Sequence, residues 1–403
     1  MKKSILFAGL LMVSAMFIGC NNDHSPETST TKLWPAATIS KDADGIEKAT
    51  WGYIDEKGQF AIQPAYTEAN DFSCGYALVR VDTKAYFIDT KNNIQNMPES
   101  EWMGTYFYFD HVRYMPSTLW GMLNNKFETV LQPAYYRLGE MSGDGLVAYK
   151  QNKDGKYGYI NKSGDVKINP MYDEADAFDA GYAVVMMGNS FGVINKSGEF
   201  TISLRETAMS NLGGERIGFY DKDNKKGGMM DAKGNIIVQA IYDAWNGIGF
   251  TDGDLMAVKS GDKWGFLDKN GKLKIATQYH YAMPFADDKA WVQRAEGSTW
   301  ETIDVNGKTL ITLGKNEMPN GAWRQGLCLV YKFNEEDYSE EYRYINEKGN
   351  TVYSWKVSGA NNKNYNGGGD DDEYYAPKKA AKRGMPDVNK MMKATKWGYR
   401  ISD

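Results

Sequence analysis

Cysteine and histidine are scarce in this chain, and their scarcity excludes several classes of protein. The 403 residues include three cysteines and three histidines. So few of them exclude a disulfide-stapled fold and the structural zinc sites built from cysteine and histidine. No HExxH, CxxC, GxSxG or phosphate-loop pattern is present. We therefore predict that the protein is not an enzyme and that it has no metal site and no cofactor.

An excess of positive charge is also missing. The formal net charge is −5, from 47 basic and 52 acidic residues. A protein that binds nucleic acid needs a basic surface to meet the phosphates, so nucleic acid is not an expected partner. Aromatic residues are abundant at 13%, which is not the composition of a disordered chain.

The only long apolar run lies at the N-terminus and is typical of an export signal. Lys2 and Lys3 precede an apolar stretch from Ile5 to Ile18, which is too short to span a bilayer stably. The stretch ends in Phe-Ile-Gly before Cys20, which resembles a bacterial lipoprotein signal. The resemblance implies cleavage after residue 19 and lipidation of Cys20. An ordinary secretory signal with a chance cysteine is the alternative.

This N-terminus predicts where the protein resides. Residues 20–46 are polar and are expected to form a tether rather than folded structure. The lipid on Cys20 would hold the protein to a membrane of the bacterial cell envelope. Asn21 differs from the aspartate that retains enteric lipoproteins in the inner membrane, so the outer membrane is favoured. Whether the protein faces the periplasm or the outside stays open.

An aromatic-glycine pair followed by a turn of the form Asx-x-x-Gly recurs along the chain. Fixed periods of 20–50 residues indicate stacked or circular repeats. Clear copies are WGYIDEKG (Trp51–Gly58), YGYINKSG (Tyr157–Gly164), FGVINKSG (Phe191–Gly198) and WGFLDKNG (Trp264–Gly271), and degenerate copies are GGMMDAKG (Gly227–Gly234), WETIDVNG (Trp300–Gly307) and YRYINEKG (Tyr342–Gly349).

The register extends beyond the turn. A tyrosine lies eight residues after the turn glycine and a phenylalanine fourteen residues after it in several units. Trp, Tyr and Phe interchange at one position, which indicates packing between units rather than a row of sugar-binding aromatics. The predicted structural residues are Trp51, Gly52, Gly58, Tyr66, Phe72, Trp120, Gly121, Tyr157, Gly158, Gly164, Tyr172, Phe178, Phe191, Gly192, Gly198, Gly234, Tyr242, Trp264, Gly265, Gly271, Tyr279, Phe285, Trp397 and Gly398.

Nine units of about 36 residues follow from this register, and each predicts four short β-strands. The class is therefore all-β. A β-propeller-like ring is favoured, with seven or eight blades and an irregular edge; an open β-solenoid is the alternative. Pro64, Pro133 and Pro170 are expected to end a strand, because proline cannot donate to a ladder. Phe127 stands where other units have glycine, so its turn is expected to differ.

The pattern resembles the WG-repeat family, also called KWG repeats. The resemblance covers about residues 47–357 and implies a repeat scaffold, often on secreted or lipid-anchored bacterial proteins. It carries no catalytic residues to transfer. Cys74 and Cys328 lie at apolar repeat positions, where buried free thiols are common; a disulfide between them is the alternative.

The C-terminal residues depart from the repeat. Residues 358–395 form a low-complexity linker with an acidic and then a basic segment. Residues 396–403, KWGYRISD, are an additional WG strand. We expect this strand to dock onto the array as a detached final strand.

A ligand pocket is predicted where the repeat is most irregular. Residues 99–114 concentrate aromatic and titratable side chains in a degenerate unit, where repeat packing does not require them. The candidate pocket residues are Trp102, Tyr106, Asp110, His111 and Arg113. We predict a non-enzymatic, lipid-anchored envelope scaffold that binds a protein or an envelope polymer such as a polysaccharide. A surface lipoprotein that binds or cleaves carbohydrate is the alternative.

Overall fold

The chain folds almost entirely into short antiparallel β-strands. The computed structural model describes residues 32–359 except 44, 246–248 and 335. Within these residues 34 strands form nine sheets, joined by turns and one 3-10 turn at Asp252–Asp254. No helix in the described part of the chain is long and apolar enough to cross a membrane.

Each sheet is a contiguous stretch of chain and forms one blade of a β-propeller. Blades 1 and 2 have three strands. Blade 1 consists of β1 (Trp34–Lys41), β2 (Glu47–Ile54) and β3 (Phe60–Tyr66). Blade 2 consists of β4 (Glu68–Ala69), β5 (Tyr76–Val81) and β6 (Lys84–Asp89).

The remaining seven blades have four strands that follow one another in chain order. We call these the inner strand, the second strand, the WG strand and the outer strand. They are β7 (Trp102–Met103), β8 (His111–Met115), β9 (Trp120–Asn124), β10 (Thr129–Tyr135) in blade 3; β11 (Arg137–Leu138), β12 (Leu146–Lys150), β13 (Tyr157–Asn161), β14 (Val166–Tyr172) in blade 4; β15 (Glu174–Ala175), β16 (Tyr182–Met187), β17 (Ser190–Asn195), β18 (Phe200–Arg205) in blade 5; β19 (Met209–Gly213), β20 (Arg216–Asp221), β21 (Lys226–Asp231), β22 (Ile236–Tyr242) in blade 6; β23 (Ala244–Trp245), β24 (Leu255–Ser260), β25 (Lys263–Asp268), β26 (Leu273–Tyr279) in blade 7; β27 (Tyr281–Ala282), β28 (Lys289–Gln293), β29 (Trp300–Asp304), β30 (Thr309–Thr312) in blade 8; and β31 (Glu317–Pro319), β32 (Leu327–Phe333), β33 (Glu340–Asn346), β34 (Thr351–Val357) in blade 9.

The repeated Asx residue clamps the turn after every WG strand. In blade 1 the Asp55 carbonyl accepts the Gly58 N–H at 3.0 Å. The Asp55 Oδ1 atom also accepts the N–H groups of Lys57 and Gln59, at 2.8 and 2.9 Å. The same three hydrogen bonds recur at the Asx residue of the other eight blades. A short polar side chain at this position therefore specifies the turn in all nine units.

The prediction that the Phe127 turn would differ is wrong. The Phe127 N–H donates to the Asn124 carbonyl at 2.9 Å, and Phe127 has a φ of 61°, as glycine does in other units. A bulky residue in the left-handed region is strained. Its ring is buried against Tyr76, Phe87 and Phe107, which offsets that strain.

The glycine of the WG pair has no room for a side chain. A Cβ atom on Gly52 would lie 2.4 Å from the Ile62 carbonyl oxygen, and one on Gly265 would lie 2.5 Å from the Ile275 oxygen. The outer strand crosses the WG strand here with a shift in register. Glycine is therefore needed for the close approach of two backbones, as the sequence predicts.

The prediction that proline ends the following strand is wrong. Pro64, Pro133 and Pro170 lie within the outer strands β3, β10 and β14, which continue to Tyr66, Tyr135 and Tyr172. All three prolines occupy the irregular stretch where the register shifts. Proline is tolerated because the outer strand is an edge strand, with one side free of ladder partners.

The hydrophobic core lies between the blades. Nine clusters of buried residues fill the described domain, and each cluster joins two neighbouring blades. Edge-to-face aromatic pairs recur at equivalent places in three of these interfaces. They are Tyr53–Phe72, Tyr159–Phe178 and Phe266–Phe285, with ring centroids 4.7 to 4.8 Å apart.

One of the nine clusters joins blade 9 to blade 1 and closes the ring. It packs Trp34 and Ile54 of blade 1 against Tyr344 and Trp355 of blade 9. The Tyr344 hydroxyl also donates to the Pro35 carbonyl at 2.9 Å. The repeat thus forms a closed nine-bladed β-propeller, which confirms the favoured ring over the solenoid. The expected count of seven or eight blades is wrong, because the degenerate units also form blades.

The folded domain begins earlier than the predicted boundary at residue 47. Residues 34–41 form β1, which pairs with the WG strand β2 and is buried over its first four residues. The polar residues nearby concealed this strand, because it has no turn motif of its own. Cys328 is a free buried thiol, so the alternative disulfide with Cys74 is not formed. The predicted terminal strand, with Trp397 and Gly398, lies outside the described residues, as does Cys20.

A buried arginine stabilises the closure of the ring near the propeller axis, where blade 1 has no inner strand. The Arg324 guanidinium of blade 9 pairs with Asp71 of blade 2 at 2.7 Å and donates to the Leu33 carbonyl at 3.1 Å. In return, the Trp34 indole N–H donates to the Arg324 carbonyl at 2.9 Å. This set of contacts, which we call the axial clasp, connects blades 9, 1 and 2.

Replacing Arg324 with alanine should destabilise the ring. The change leaves Asp71 and the Leu33 carbonyl without their partner, at a cost of about 3 kcal/mol of unfolding free energy. Urea unfolding followed by tryptophan fluorescence measures this loss. Arg80→Ala is the control, because Arg80 pairs with Glu68 on the exposed surface and its loss should cost less than about 1 kcal/mol. Equal urea midpoints for Arg324→Ala and Arg80→Ala would contradict a stabilising role of the axial clasp.

Phe127 should tolerate glycine better than alanine. Both changes empty the same buried site, but glycine relieves about 1 kcal/mol of left-handed strain. Phe107 supplies the matched control, because it is buried in the same cluster without a positive φ. There, alanine should be more stable than glycine by about 0.5–1 kcal/mol. The same order at both positions, measured by thermal melting, would be inconsistent with strain at Phe127.

Candidate functional site

The antiparallel blades divide the surface into two faces. Turns between the inner and second strands and turns after the WG strands lie on one face, because strand direction alternates. We call this the turn face. Turns between the second and WG strands and links between blades lie on the opposite face. Residues near the two ends of one second strand therefore lie on different faces, roughly 13 Å apart for the five residues of β8.

A polar cleft of about 420 Å³ lies on the turn face between blades 3 and 4. We call it the blade 3–4 cleft. Blade 3 contributes the turn residues Asp110 and His111, and blade 4 contributes its clamped turn. The lining residues are Asp110, His111, Asn124, Asn125, Val130, Lys162 and Ser163.

Burial favours the neutral form of the His111 imidazole, and its contacts orient one nitrogen as an acceptor. Its Nδ1 atom lies 2.6 Å from the Phe109 carbonyl oxygen, so Nδ1 carries the proton and donates. Burial lowers the pKa of His111, and this effect outweighs the opposing influence of the Phe109 carbonyl and Asp110. The Nε2 atom of a neutral imidazole with this tautomer is a hydrogen-bond acceptor.

The turn that carries Asp110 is strained. Phe109 and Asp110 have φ values of 46° and 62°. Among the described residues, only Asp287 and Asp288 also form a consecutive pair of non-glycine residues with positive φ. Phenylalanine rarely adopts this conformation. The same turn joins the inner and second strands of blades 2, 5, 8 and 9, where Cys74, Ala180, Asp287 and Gln325 have φ values of 48° to 50°. The backbone conformation therefore belongs to the repeat, and blade 3 differs in placing a phenylalanine there.

Two opposite charges line the cleft without neutralising each other. Within the described part of the chain, the side chains of Asp110 and Lys162 have no hydrogen-bond or ion-pair partner. The identical NKSG turn of blade 5 differs, because its Lys196 pairs with Asp144 at 3.2 Å. The Asn124 oxygen accepts two N–H groups of its own turn and the amide nitrogen donates to Glu128. Asn125 and Ser163 are the other polar side chains alongside these charges.

Trp102 and Arg113 lie toward the opposite face and form a different cluster. The Arg113 guanidinium lies 5.8 Å from the Trp102 ring and 4.9 Å from the Trp120 ring. It donates to the Leu138 carbonyl at 2.7 Å and pairs with Glu140 of blade 4. Arg113 therefore links blades 3 and 4. Trp102 is 40% exposed, so part of this large apolar side chain reaches solvent.

Tyr106 lies near the axis and belongs to neither cluster. Its hydroxyl interacts electrostatically with Asp71 and Arg324 of the axial clasp, and burial raises the pKa of Tyr106 to about 12. The five residues predicted as one pocket thus occupy three places. Asp110 and His111 line the cleft, Trp102 and Arg113 meet near the opposite face, and Tyr106 lies at the axis.

The sequence predicted two of the seven residues that line the cleft and missed the other five. Lys162 and Ser163 belong to a regular repeat turn, and nothing in NKSG distinguishes blade 4 from blade 5. Only the neighbouring irregular segment of blade 3 is a signal, and it predicted Asp110 and His111. Among the described residues, no group of three or more His, Cys, Asp or Glu side chains could hold a metal ion.

A half-buried carboxyl, that of Asp176, lies beside the inner strand of blade 5. The Asp176 N–H donates to the Val184 carbonyl at 3.0 Å, and the Asp176 carbonyl accepts the Tyr159 hydroxyl at 2.7 Å. Burial, with a smaller contribution from the Glu174 charge, raises the pKa of the Asp176 carboxyl to about 7. The folded protein therefore holds a proton on Asp176 in mildly acidic solution.

A family model described as a WG-containing repeat matches the chain five times. The matched segments are residues 51–84, 120–156, 157–190, 228–264 and 264–296. The chain belongs to the WG-repeat family. The matches cover blades with regular and degenerate motifs alike, and each spans a WG strand with its clamped turn. No curated protein sequence matches the chain.

One solved structure shows the same fold in a protein with little sequence similarity. A eukaryotic initiation factor is similar at a TM-score of 0.53 with 9% identity, over 79% of this chain and 95% of that one. The dihydro-heme d1 dehydrogenase NirN is similar at a TM-score of 0.41 with 9% identity, over 73% of this chain and 76% of that one. AztD from Citrobacter koseri is similar at a TM-score of 0.38 with 11% identity, over 72% of this chain and 93% of that one. At these identities the likeness to the initiation factor shows the fold alone.

Asp176→Asn should stabilise this WG-repeat propeller in alkaline solution. Because the folded pKa lies above the ordinary value of 3.8, wild-type stability falls as pH rises from about 4 through about 7. Asparagine mimics the neutral carboxyl and does not titrate. The variant's advantage in unfolding free energy should therefore grow by roughly 2 kcal/mol between pH 5 and pH 8.

Asp173→Asn is the matched control, measured by urea unfolding at both pH values. Asp173 accepts hydrogen bonds from Lys156 and from the Gly188 N–H, which lower its pKa. Its replacement should cost stability at pH 8 rather than add it. An advantage of Asp176→Asn that is the same at pH 5 and pH 8 would show that the carboxyl has an ordinary pKa.

Proposed function

We propose that the protein is a non-enzymatic, lipid-anchored scaffold of the bacterial cell envelope. It binds a protein or an envelope polymer through the turn face. The supporting observation is that all nine blades present the same clamped turn on this face. Repeat proteins use such extended surfaces for binding.

Lysine is the recurring side chain that the turn face offers to a partner. Each clamped turn has four residues and begins with the Asx residue. Eight of the nine turns have a lysine at the second or third residue, and blade 8 is the exception with Val305 and Asn306 there. The lysines are Lys57, Lys91, Lys126, Lys162, Lys196, Lys233, Lys269 and Lys348. Acidic side chains lie among them, so the face offers positive charge at regular positions without becoming a uniformly basic field.

The anchoring part of the proposal rests on the N-terminal sequence. Lipidation of Cys20 would fix the protein to a membrane, and residue 32 is the first that the structure describes. About a dozen tether residues would then connect the lipid to Leu33, next to the axial clasp. The outer membrane is the proposed location, on either of its faces.

The alternative is a surface lipoprotein that binds or cleaves carbohydrate. The exposed Trp102 ring favours this alternative, because sugar rings stack on aromatic surfaces. Cleavage would require a pair of carboxylates across the glycosidic bond. In the blade 3–4 cleft, Asp110 is the one carboxylate among the lining residues, so binding is better supported there than cleavage.

Crosslinking from matched positions tests which face binds. A photo-crosslinking residue replaces Lys233 on the turn face or Lys222 on the opposite face of the same blade; both are exposed. After irradiation of cells, mass spectrometry identifies what is attached. We expect a reproducible adduct from position 233 and none from position 222. An adduct from position 222 alone would contradict binding through the turn face.

The same experiment with Cys20→Ser tests the anchor. Loss of the thiol should abolish palmitate labelling and move the protein from the membrane to the soluble fraction. It should also weaken the adduct from position 233, if the partner belongs to the envelope. Unchanged fractionation and labelling would contradict lipidation at Cys20.

A further inference from the structure

We infer that the blade 3–4 cleft binds a neutral saccharide segment through hydrogen bonds to its hydroxyl groups. The inference rests on the proposed function, since it names the class of envelope polymer that the turn face would take. It places the binding site in the cleft rather than on the exposed Trp102 ring.

The size of the cleft suits a short segment of a polysaccharide chain. Its volume of about 420 Å³ lies within the range of small-ligand sites, on the order of 300–1,000 Å³. Most of the lining comes from turns at the surface of the turn face, with Val130 contributed by the outer strand β10, so a polymer can continue beyond the cleft. One short segment would occupy the cleft while the rest of the polymer follows the face.

The chemistry of the lining disfavours simpler ligands. Asp110 and Lys162 carry opposite charges, so the cleft has no net charge with which to select an anion or a cation. Polar groups surround Val130, the one apolar lining residue, so an apolar ligand would leave them unpaired. A hydroxyl group can both donate and accept, and it meets each of these demands without carrying charge.

The cleft offers acceptors and donors at separate positions. The Asp110 carboxylate and the Nε2 atom of neutral His111 can accept from sugar hydroxyls. The Lys162 ammonium and the Asn125 amide can donate to them. Asp110 and Lys162 have no partner in the described part of the chain, so neither must break an existing bond to bind. Hydrogen bonds to charged groups are the stronger ones and would contribute most to affinity.

The cleft is held in place before any ligand arrives. Phe109 packs against Gly143 of blade 4, where a Cβ atom would lie 3.0 Å from the ring. This contact holds the strained Phe109–Asp110 turn, and the Phe109 carbonyl in turn fixes the His111 ring. A site with fixed polar groups loses less entropy on binding.

The Trp102 cluster is less suited to this role. Arg113, which lies between its two tryptophan rings, already binds Leu138 and Glu140. The Trp102 and Trp120 rings meet edge to face at 71°, so they form no flat platform for a sugar ring. Trp102→Ala therefore separates the two possible saccharide sites in one experiment.

The test is affinity electrophoresis of the full-length protein in gels that contain dextran, mannan, xylan, β-1,3-glucan or soluble chitin. Lys162→Ala and Asp110→Asn probe the cleft. Asparagine tolerates a positive φ, so Asp110→Asn keeps the turn and removes the charge. Lys196→Ala is the matched control, because Lys196 occupies the identical NKSG turn one blade away.

We expect at least one polysaccharide to retard the wild type, Lys196→Ala and Trp102→Ala equally. Its affinity should be about tenfold weaker for each cleft variant, since each loses a hydrogen bond to a charged group. Circular dichroism and melting curves verify that the variants are folded. Retardation that survives both cleft changes, or that is lost with Trp102→Ala, would overturn the inference.

The remaining outcomes separate this inference from the proposed function. Retardation by an anionic polymer such as heparin, and by none of the neutral ones, would overturn the saccharide class. No retardation by any polysaccharide, together with a protein adduct from position 233, would overturn the inference and leave the scaffold intact. No retardation and no adduct would overturn both.

Discussion

Packing between neighbouring blades is the constraint on which the whole structure depends. Each blade is a three- or four-stranded sheet that buries its side chains only against the next blade, and the nine core clusters are nine such interfaces. Edge-to-face pairs such as Tyr53–Phe72 recur because each interface solves the same geometric problem. A chain built this way gains its full stability only when the last interface forms. Closure between blades 9 and 1 is therefore part of the core.

Closure requires more than the repeat itself provides. Blade 1 has no inner strand, and Arg324 reaches from blade 9 past blade 1 to Asp71 of blade 2. The Leu33 carbonyl and the Trp34 indole complete this clasp just where the folded domain begins. A buried ion pair is specific rather than strongly stabilising, because desolvation offsets its attraction. We interpret the clasp as the contact that selects the correct partner for the final interface.

The regular blades leave few positions free for function. The Asx residue of each turn is needed for the turn's hydrogen bonds, and the glycine of the WG pair is needed for the close approach of two backbones. The repeat aromatics are needed to fill the interfaces between blades. Irregular blade 3 differs in residue type, with Phe109–Asp110 in a turn whose second residue is glycine in blades 2, 5 and 9, and with Phe127 in place of the glycine after the WG strand. Sequence reasoning found Asp110 and His111 from this irregularity. It wrongly grouped them with Trp102, Tyr106 and Arg113, because proximity along β8 does not show which face each residue reaches.

The sequence by itself determined the all-β class, the repeat register, the clamped turns and the need for glycine beside the aromatic. These features depend on residues close in the chain, where side-chain chemistry acts directly on the backbone. Only the tertiary structure decided the nine-bladed closure, the place of β1 in blade 1 and the pairing of Arg324 with Asp71. It alone brought Lys162 to Asp110 and His111 while leaving Lys196 paired with Asp144. Identical NKSG turns acquire different surroundings because the neighbouring blade, distant in sequence, supplies the other half of each site.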